Sequence, residues 1–212
     1  MPERSRSYRL VYFDIKWRAE PLRLLFHYFA VPFEDRRISG DDWAKRKSDA
    51  PFEQLPLLEI DDGKVVLSES LGIGRYLCKS FEHGFIGKTK TDAARADMIV
   101  YSCNDLFIPI YFMNNASDED KEAKTAQCKG AMLRFLKGCE RVLKKNGGGQ
   151  FVGDEMTWAD IYAFYMLWMI DDLQTVPIDK SEYPSVHAFY LAMRENDRIK
   201  EYIAAHFPSH MA

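Results

Sequence analysis

The sequence predicts an α/β domain over residues 1–86, followed by an all-helical domain over residues 87–212. Up to about residue 88, short apolar runs rich in β-branched and aromatic residues alternate with helical patterns, and no strand pattern follows. The polar stretch Phe85–Asp92 separates the two patterns and is expected to be a hinge. A chain of 212 residues is long enough for one large domain or two smaller ones with a substantial core.

The first predicted strand and the turn after it hold two candidate site residues. The run Leu10–Phe13 predicts a buried strand, and an apolar helical pattern begins near Ala19. Tyr12 therefore lies at the end of a strand, and Arg18 lies in the turn before the helix. Open α/β sheets bind ligands at the carboxyl ends of strands and the amino ends of helices. A tyrosine and an arginine there can stabilise an anion, although a half-buried strand tyrosine and a solvated charge are the simpler interpretations.

The rest of the first domain predicts three more strands and two more helices. The strands are expected where the apolar segment Val31–Phe33 leads into Glu34–Ile38, over Leu55–Ile60 and over Lys64–Leu67. The helices are expected over Ser39–Lys47 (a short helix or an irregular turn) and Leu71–Ser80. Asp61-Asp62-Gly63 predicts a hairpin turn in which Gly63 can take a positive φ. This order predicts two parallel strands followed by an antiparallel hairpin.

Two pairs of polar residues in this domain could bind a ligand or serve structure alone. Trp43 and Lys47, four residues apart on a possible helical turn, form either an exposed packing pair or one wall of a polar site. Glu69 and Ser70 at a helix start could hold an amino acid's ammonium and carboxylate, or could simply cap the helix.

Pro56 comes directly before a predicted strand, where a proline is tolerated. A trans bond is the statistical default, since only about 5% of X-Pro bonds in folded proteins are cis. A cis bond would turn the Leu55 amide and carbonyl outward as a docking edge for a peptide backbone. The residues alone leave the isomer open.

The second half of the chain predicts helices only. Five are expected, over Asp92–Asn115, over Asp118–Lys145, from Thr157, from Pro184, and from about Arg198 to His206. Pro109 is expected to kink the first of them. Thr157 and Asp160 form a capping box at the start of a helix that is apolar nearly all round, so this helix is expected to be the buried spine of the domain.

The overall composition excludes several classes of protein. The net charge of -3 with balanced signs gives no support for nucleic-acid binding. The sequence contains no run of about eighteen apolar residues, so no membrane span is expected. The charged start MPERSRSYRL does not resemble a secretory signal. The four cysteines lack CxxC spacing, which argues against a zinc site and a dithiol motif. We expect free thiols in a reducing cytoplasm.

In order and spacing, four segments resemble the cytosolic glutathione transferases, most closely the sigma class, which includes prostaglandin D synthases of the haematopoietic type. They read YFDIKWRAEPLR, DWAKRK, FEQLPLLEIDDGKVVLSESLGIGRYL and VGDEMTWADIY. The resemblance implies a thioredoxin-like glutathione-binding domain, then an all-helical domain that contributes a hydrophobic substrate site. It also implies a homodimer that uses glutathione as co-substrate without a metal.

The resemblance assigns roles to the first candidate residues. Tyr12 falls on the catalytic tyrosine, whose hydroxyl donates to the glutathione sulfur, and Arg18 on the arginine that supports the thiolate. Trp43 and Lys47 fall on side chains that hold the glycine end of glutathione.

The same resemblance assigns the other candidates by segment. Glu53, Gln54 and Leu55 fall on the segment whose backbone pairs with the cysteinyl part, and Pro56 on a cis-proline. Glu69 and Ser70 fall on the γ-glutamyl site, and Asp105 on an acid that reaches the partner subunit's γ-glutamyl ammonium. Phe107, Phe112 and Tyr162 fall around the hydrophobic substrate pocket.

The sequence also departs from the sigma pattern. Lys16 and Trp17 stand where arginine and glycine are common, and Trp17 is expected to narrow or reshape the mouth of the second-substrate pocket. Glu69 replaces a frequent glutamine. Tyr101 and Asn104 occupy positions that are acidic in the vertebrate prostaglandin enzyme. This difference weakens the interpretation of the chain as a prostaglandin D synthase.

The function expected from the resemblance is the detoxifying conjugation of glutathione to small hydrophobic electrophiles. Two alternatives stay open: a glutathione-dependent isomerase of the prostaglandin D synthase type, and a non-catalytic structural or ligand-binding relative.

Overall fold

The structure is a computed structural model that describes residues 6–208, with His83 described by its backbone only. Part of the charged start, on which the expectation about a secretory signal rests, lies outside these residues. The chain divides into two compact units, Met1–Glu82 and His83–Ala212. The predicted boundary at 86/87 falls at the end of a short 3-10 helix, His83–Ile86, that begins the second unit, and it stays a prediction.

The first unit is a four-stranded mixed sheet with three helices. The strands are β1 (Tyr8–Phe13), β2 (Glu34–Ile38), β3 (Leu57–Ile60) and β4 (Val65–Ser68), and the helices are α1 (Glu20–Tyr28), α2 (Gly40–Arg46) and α3 (Ser70–Phe81). The order in the sheet is β2-β1-β3-β4. β1 runs parallel to β2 and antiparallel to β3, and β3 runs antiparallel to β4. The predicted pair of parallel strands and the predicted hairpin are confirmed.

The two faces of β1 serve different packing layers because alternate side chains point to opposite faces. Tyr8 packs against Phe26 of α1 and Phe81 of α3, with ring centroids 5.8 and 5.5 Å apart. Val11 belongs to a buried cluster with Ile38, Ala50 and Leu57. Tyr12, four residues after Tyr8, shares the face of Tyr8.

The turn between β3 and β4 contains more left-handed backbone than predicted. Asp61, Asp62 and Gly63 have φ angles of 53°, 58° and 83°. Aspartate tolerates this region better than most residues because its short polar side chain bonds the local backbone.

Helices connected by loops form the regular structure in the described part of the second unit. Its helices are α4 (Lys90–Asn114), α5 (Lys121–Lys145), α6 (Trp158–Leu173), α7 (Pro184–Arg194) and α8 (Lys200–His206). Every residue of α6 from Trp158 to Asp171 is buried, which confirms the predicted spine. None of the helices within residues 6–208 combines the length and the apolarity that a membrane span requires.

The expected polar hinge over Phe85–Asp92 is wrong. Phe85 is fully buried in the 3-10 helix. α4 already begins at Lys90, because the Thr89 hydroxyl accepts a hydrogen bond from the Asp92 amide at 3.1 Å and caps the helix.

The predicted capping box at the start of α6 is present. Asp160 is fully buried, and its carboxylate accepts from the backbone N–H groups of Thr157 at 2.7 Å and Phe151 at 2.9 Å. Burial raises the pKa of Asp160 to about 6, although these hydrogen bonds act to lower it. The carboxylate ties the loop before α6 to the helix start.

This raised pKa predicts how Asp160 affects stability at different pH values. The folded chain holds the Asp160 proton more tightly than the unfolded chain, whose pKa is near 3.8. The associated stability is fully present below about pH 4 and is lost as the pH rises through about 6. We expect the stability advantage of the wild type over Asp160→Asn to shrink by up to about 3 kcal/mol between about pH 4 and pH 7. Urea unfolding of both proteins across this range measures it, and an advantage that grows with pH would contradict the prediction.

Candidate functional site

The buried phenol of Tyr12 lies at the carboxyl end of β1. The residue is 4% exposed. Burial raises the pKa of Tyr12 above its usual value of 10.0, while a hydrogen bond from the Arg18 backbone and the charges of Arg18 and Arg23 act in the opposite direction. Tyr12 is therefore an uncharged phenol at neutral pH, which can donate a hydrogen bond to an anion.

The loop between β1 and α1 brings Arg18 to Tyr12. It contains a 3-10 turn over Trp17–Ala19. Trp17, at the position where the sigma pattern has glycine, is half-buried and has a φ of +39°. Arg23 of α1 donates from Nη1 to the carbonyl oxygens of Ile15 at 3.0 Å and Lys16 at 3.5 Å. The predicted neighbours Tyr12 and Arg18 are thus brought together by a loop that α1 holds in place.

Trp43 and Lys47 have different environments. Trp43 is half-buried and packs, together with Leu55, against the buried cluster around Val11. Lys47 follows the end of α2, is half-exposed, and its Nζ lies 4.0 Å from a carboxylate oxygen of the exposed Glu53. The indole therefore supports the core, and the ammonium faces solvent.

The segment before β3 has the backbone features that the resemblance implies. The Leu55–Pro56 bond is cis. Glu53 has a φ of +51° and donates its N–H to the Ala50 carbonyl at 3.1 Å. Gln54 is exposed, Leu55 is half-buried and Pro56 is buried.

Glu69 and Ser70 stand at the start of α3. Ser70 is 8% exposed and is the first residue of this 12-residue helix. Glu69 is exposed, has a φ of +68°, and its side chain makes no capping hydrogen bond. Helix capping therefore does not account for the Glu69 carboxylate.

Three of the segments assigned to glutathione contain a non-glycine residue in the left-handed region: Trp17, Glu53 and Glu69. Such a conformation costs about 1–3 kcal/mol and persists only where surrounding contacts enforce it. Strained backbone of this kind is often found at ligand sites, which favours a binding role for the segments that contain these three residues.

The candidate residues of the second unit do not share one environment. Phe107 of α4 is 3% exposed and its ring lies 6.4 Å from that of Tyr165, while Tyr162 of α6 is 2% exposed and meets Trp158 edge-on at 5.5 Å. Phe112 is 51% exposed. Phe107 and Tyr162 therefore belong to the core of the unit, and Phe112 belongs to its surface.

Asp105 of α4 is exposed within an apolar stripe. Met98, Tyr101, Ile108 and Phe112 repeat at three- and four-residue spacing around it, and each is about half exposed. The stripe presents an acid in the middle of an exposed apolar surface.

Other features of the described residues offer no second chemical centre. A cavity of about 150 Å³ is lined by Ser7, Tyr8, Arg9, Glu34, Glu59 and Asp62, none of which is a predicted site residue. All four cysteines are free and buried, and burial raises the pKa of each thiol. Among residues 6–208, no group of three or more His, Cys, Asp or Glu side chains is placed to hold a metal ion.

Comparison with known proteins agrees with this architecture. Residues 18–80 match the glutathione S-transferase N-terminal domain family, and residues 103–206 match the C-terminal domain family. Glutathione S-transferase 4 of Caenorhabditis elegans is 33% identical over 204 residues, covering 93% of this chain and 96% of the relative. Hematopoietic prostaglandin D synthase of Gallus gallus is 35% identical over 156 residues, covering 74% and 75%.

A solved structure gives the same result for the fold. The glutathione S-transferase Na-GST-3 of the hookworm Necator americanus, described as monomeric, is 29% identical with a TM-score of 0.82, covering 97% of this chain and 100% of that chain. The expected thioredoxin-like domain followed by an all-helical domain is confirmed. The chain belongs to the glutathione S-transferase family, and it carries both domains of that family's enzymes.

Proposed function

We propose that the protein joins the thiolate of glutathione to small hydrophobic electrophiles, and that Tyr12 activates the thiol. The observation that carries this proposal is the buried, uncharged phenol of Tyr12 beside the backbone of Arg18. Glutathione is the co-substrate, and the donor set requires no metal. By resemblance, the enzyme is of the sigma class, acts in detoxification and is cytoplasmic.

The energetic demand on this site is modest. A free thiol has a pKa of about 8.5, so only a few per cent is thiolate at neutral pH. Lowering that pKa by about two units requires about 3 kcal/mol. A charge-assisted hydrogen bond from Tyr12 contributes about 1.5–3 kcal/mol, and the positive field of Arg18 supplies the remainder.

The reaction needs no proton acceptor on Tyr12. The thiol proton leaves to solvent, the sulfur forms a bond to the electrophilic carbon, and the leaving group departs with its electron pair. Because the pKa of Tyr12 is raised, its phenol keeps its proton and acts as a hydrogen-bond donor.

The other contacts to glutathione follow from charge and position. Lys47 faces solvent near Glu53, where it can meet the glycine carboxylate. By resemblance, Trp43 holds the same end of glutathione. The amide groups at the start of α3, with Ser70, can hold the γ-glutamyl carboxylate. The carboxylate of Glu69, which makes no capping hydrogen bond, can hold the ammonium.

The first unit completes this set at its cis-proline segment. Gln54 is exposed there, and the backbone of Leu55 is proposed to pair with the cysteinyl part of glutathione beside Pro56. The proposed second-substrate residues are Phe107, Phe112 and Tyr162.

The alternative function is a glutathione-dependent isomerase of the prostaglandin D synthase type. The relative from Gallus gallus favours it. Tyr101 and Asn104, at positions that are acidic in the vertebrate enzyme, favour the transferase instead.

We also propose a homodimer, because the exposed stripe around Asp105 is the kind of surface that a second copy covers. In a dimer Asp105 would reach the partner's glutathione. The hookworm relative is described as monomeric, so sedimentation of this protein tests the proposed dimer.

Replacing Tyr12 tests thiol activation directly. Tyr12→Phe removes one charge-assisted hydrogen bond, so we expect turnover to fall by about 10–100-fold while glutathione affinity stays within a few-fold. Steady-state kinetics with a chloroarene measures both. Tyr8→Phe is the matched control, since it removes a phenol from the same face of β1 whose hydroxyl interacts with Tyr76 instead. Unchanged turnover in Tyr12→Phe would mean that another donor activates the thiol.

The two candidate functions are separated by substrate. We expect turnover of a generic chloroarene in the presence of glutathione, and little or no isomerisation of a prostaglandin endoperoxide, because of Tyr101 and Asn104. Parallel assays of the purified protein measure both. Efficient isomerisation without chloroarene conjugation would establish the alternative, and binding to immobilised glutathione without either reaction would indicate a non-catalytic relative.

Asp105 tests the shared site. If Asp105 of one protomer binds glutathione in the partner's site, Asp105→Ala should weaken glutathione binding by about 5–20-fold, the loss expected from one partly exposed charged hydrogen bond. Turnover at saturating glutathione should stay unchanged. Calorimetry measures the affinity, and sedimentation of the wild type measures the oligomeric state. Asp118→Ala, an exposed acid outside the stripe, is the control. A monomer, or unchanged affinity, would reject the shared site.

A further inference from the structure

Arg23 is a buried cation in an otherwise apolar part of α1. Its side chain is 1% exposed, and its neighbours Leu22, Leu24 and Leu25 are fully buried. A charge removed from water is costly unless it is paired and hydrogen-bonded. The partners of this guanidinium therefore show what holds it in place.

The guanidinium bridges three parts of the first unit. Nη1 donates to Glu20 of α1, which is also 1% exposed, at 2.7 Å. The Nε–H lies 3.1 Å from both carboxylate oxygens of Asp35 on β2. Nη1 also donates to the carbonyl oxygens of Ile15 and Lys16, as described above. One side chain thus ties α1, β2 and the β1–α1 loop, residues 14–19, to each other.

A second arginine extends the network to the beginning of the same loop. Arg37 of β2 donates to Asp35 from Nε at 3.0 Å and to Asp14 from Nη1 at 2.7 Å. Asp35 is therefore shared by two arginines, one bound to the carbonyls of the loop and the other to its first side chain. The two arginines together hold the first half of the loop, residues 14–16.

The loop held in this way carries the groups that face Tyr12. Its Trp17 has the left-handed φ of +39° that only enforcing contacts can maintain in a bulky residue. Its next residue, Arg18, places a backbone N–H and a positive charge at the Tyr12 phenol. The contacts of Arg23 to Ile15 and Lys16 lie directly before these two residues.

We propose that Arg23 is a positioning residue of the thiol-activating site: by binding the Ile15 and Lys16 carbonyls while anchored to Glu20 and Asp35, it fixes the loop that presents Arg18 to Tyr12. The proposal rests on the proposed function of Tyr12. Arg23 itself acts through the loop and not on the substrate.

The geometry requires an arginine in this position. The fork of the guanidinium reaches Asp35 with one nitrogen and the loop carbonyls and Glu20 with another, whereas a lysine offers a single point charge. Arg23→Lys therefore keeps the charge and loses the simultaneous hold on strand, helix and loop.

The test measures the thiol of bound glutathione. Arg23→Lys and Asp35→Asn are compared with the wild type by the ultraviolet absorbance of the thiolate as a function of pH at saturating glutathione. We expect the thiol pKa to rise by about one unit in Arg23→Lys, which lowers the thiolate fraction about tenfold below that pKa. The KM for glutathione should change less than about threefold while kcat falls in parallel with the thiolate fraction. Asp35→Asn should shift the pKa in the same direction by less, because Arg23 keeps Glu20.

Two controls separate positioning from stability. Arg9→Lys changes an arginine of the same sheet that binds Glu34 and Glu59, at 2.5 and 3.0 Å, instead of the loop. Asp160→Asn removes a buried charged group from the second unit. Both are expected to leave the thiol pKa unchanged even where they lower the unfolding temperature.

The outcomes are distinguishable. A thiol pKa that stays at the wild-type value in Arg23→Lys and Asp35→Asn overturns the proposal and leaves Arg23 a structural residue. If Arg23→Lys does not fold, Asp35→Asn decides alone, since the Asp35 side chain is 26% exposed. If Tyr12→Phe itself leaves the thiol pKa unchanged, thiol activation by Tyr12 fails first, and the role of Arg23 fails with it.

Discussion

Hydrogen bonds inside the protein offset the cost of burying an ionisable group, and each unit of this chain contains such a group whose partners join separate segments. In the first unit the group is Arg23, whose partners come from α1, β2 and the loop after β1. In the second it is Asp160, which joins the start of α6 to the loop before it. In both units, a single side chain joins a helix to a neighbouring segment of the chain.

The difference between the two networks explains their different uses. The partners of Asp160 lie in the interior and stabilise the helical core. The partners of Arg23 include carbonyl groups of the loop after β1, so this buried side chain holds a loop that is partly exposed to solvent. Burial keeps the Tyr12 phenol protonated, and the loop supplies the positive charge near it.

The sequence predicts the secondary structure well where local chemistry decides it. Apolar runs and turn residues predict β1, β3 and β4, whereas β2 is a charged segment that follows a short apolar one. Thr157 and Pro184 predict the starts of α6 and α7. The predicted start of α4 at Asp92 lies two residues after the observed start at Lys90, although Thr89 and Asp92 have the same spacing as Thr157 and Asp160. Polar residues surround this cap, so no apolar run directly behind it marks the helix start.

The site was only partly predictable. Motif resemblance proposes Tyr12 as a site residue, whereas the buried states of Phe107 and Tyr162 depend on how α4 and α6 pack. Arg23 had one local signal, Glu20 three residues earlier on a helix that is otherwise apolar. Its partner on β2 is brought near by the fold, which no local pattern encodes. The left-handed backbone at Trp17 has the same non-local origin, and glycine would take that conformation without the penalty of about 1–2 kcal/mol that a side chain incurs. Heat tolerance and substrate range would consequently be subject to selection at the same codon, since the change that relaxes the backbone also deletes an indole from the loop that presents Arg18 to Tyr12.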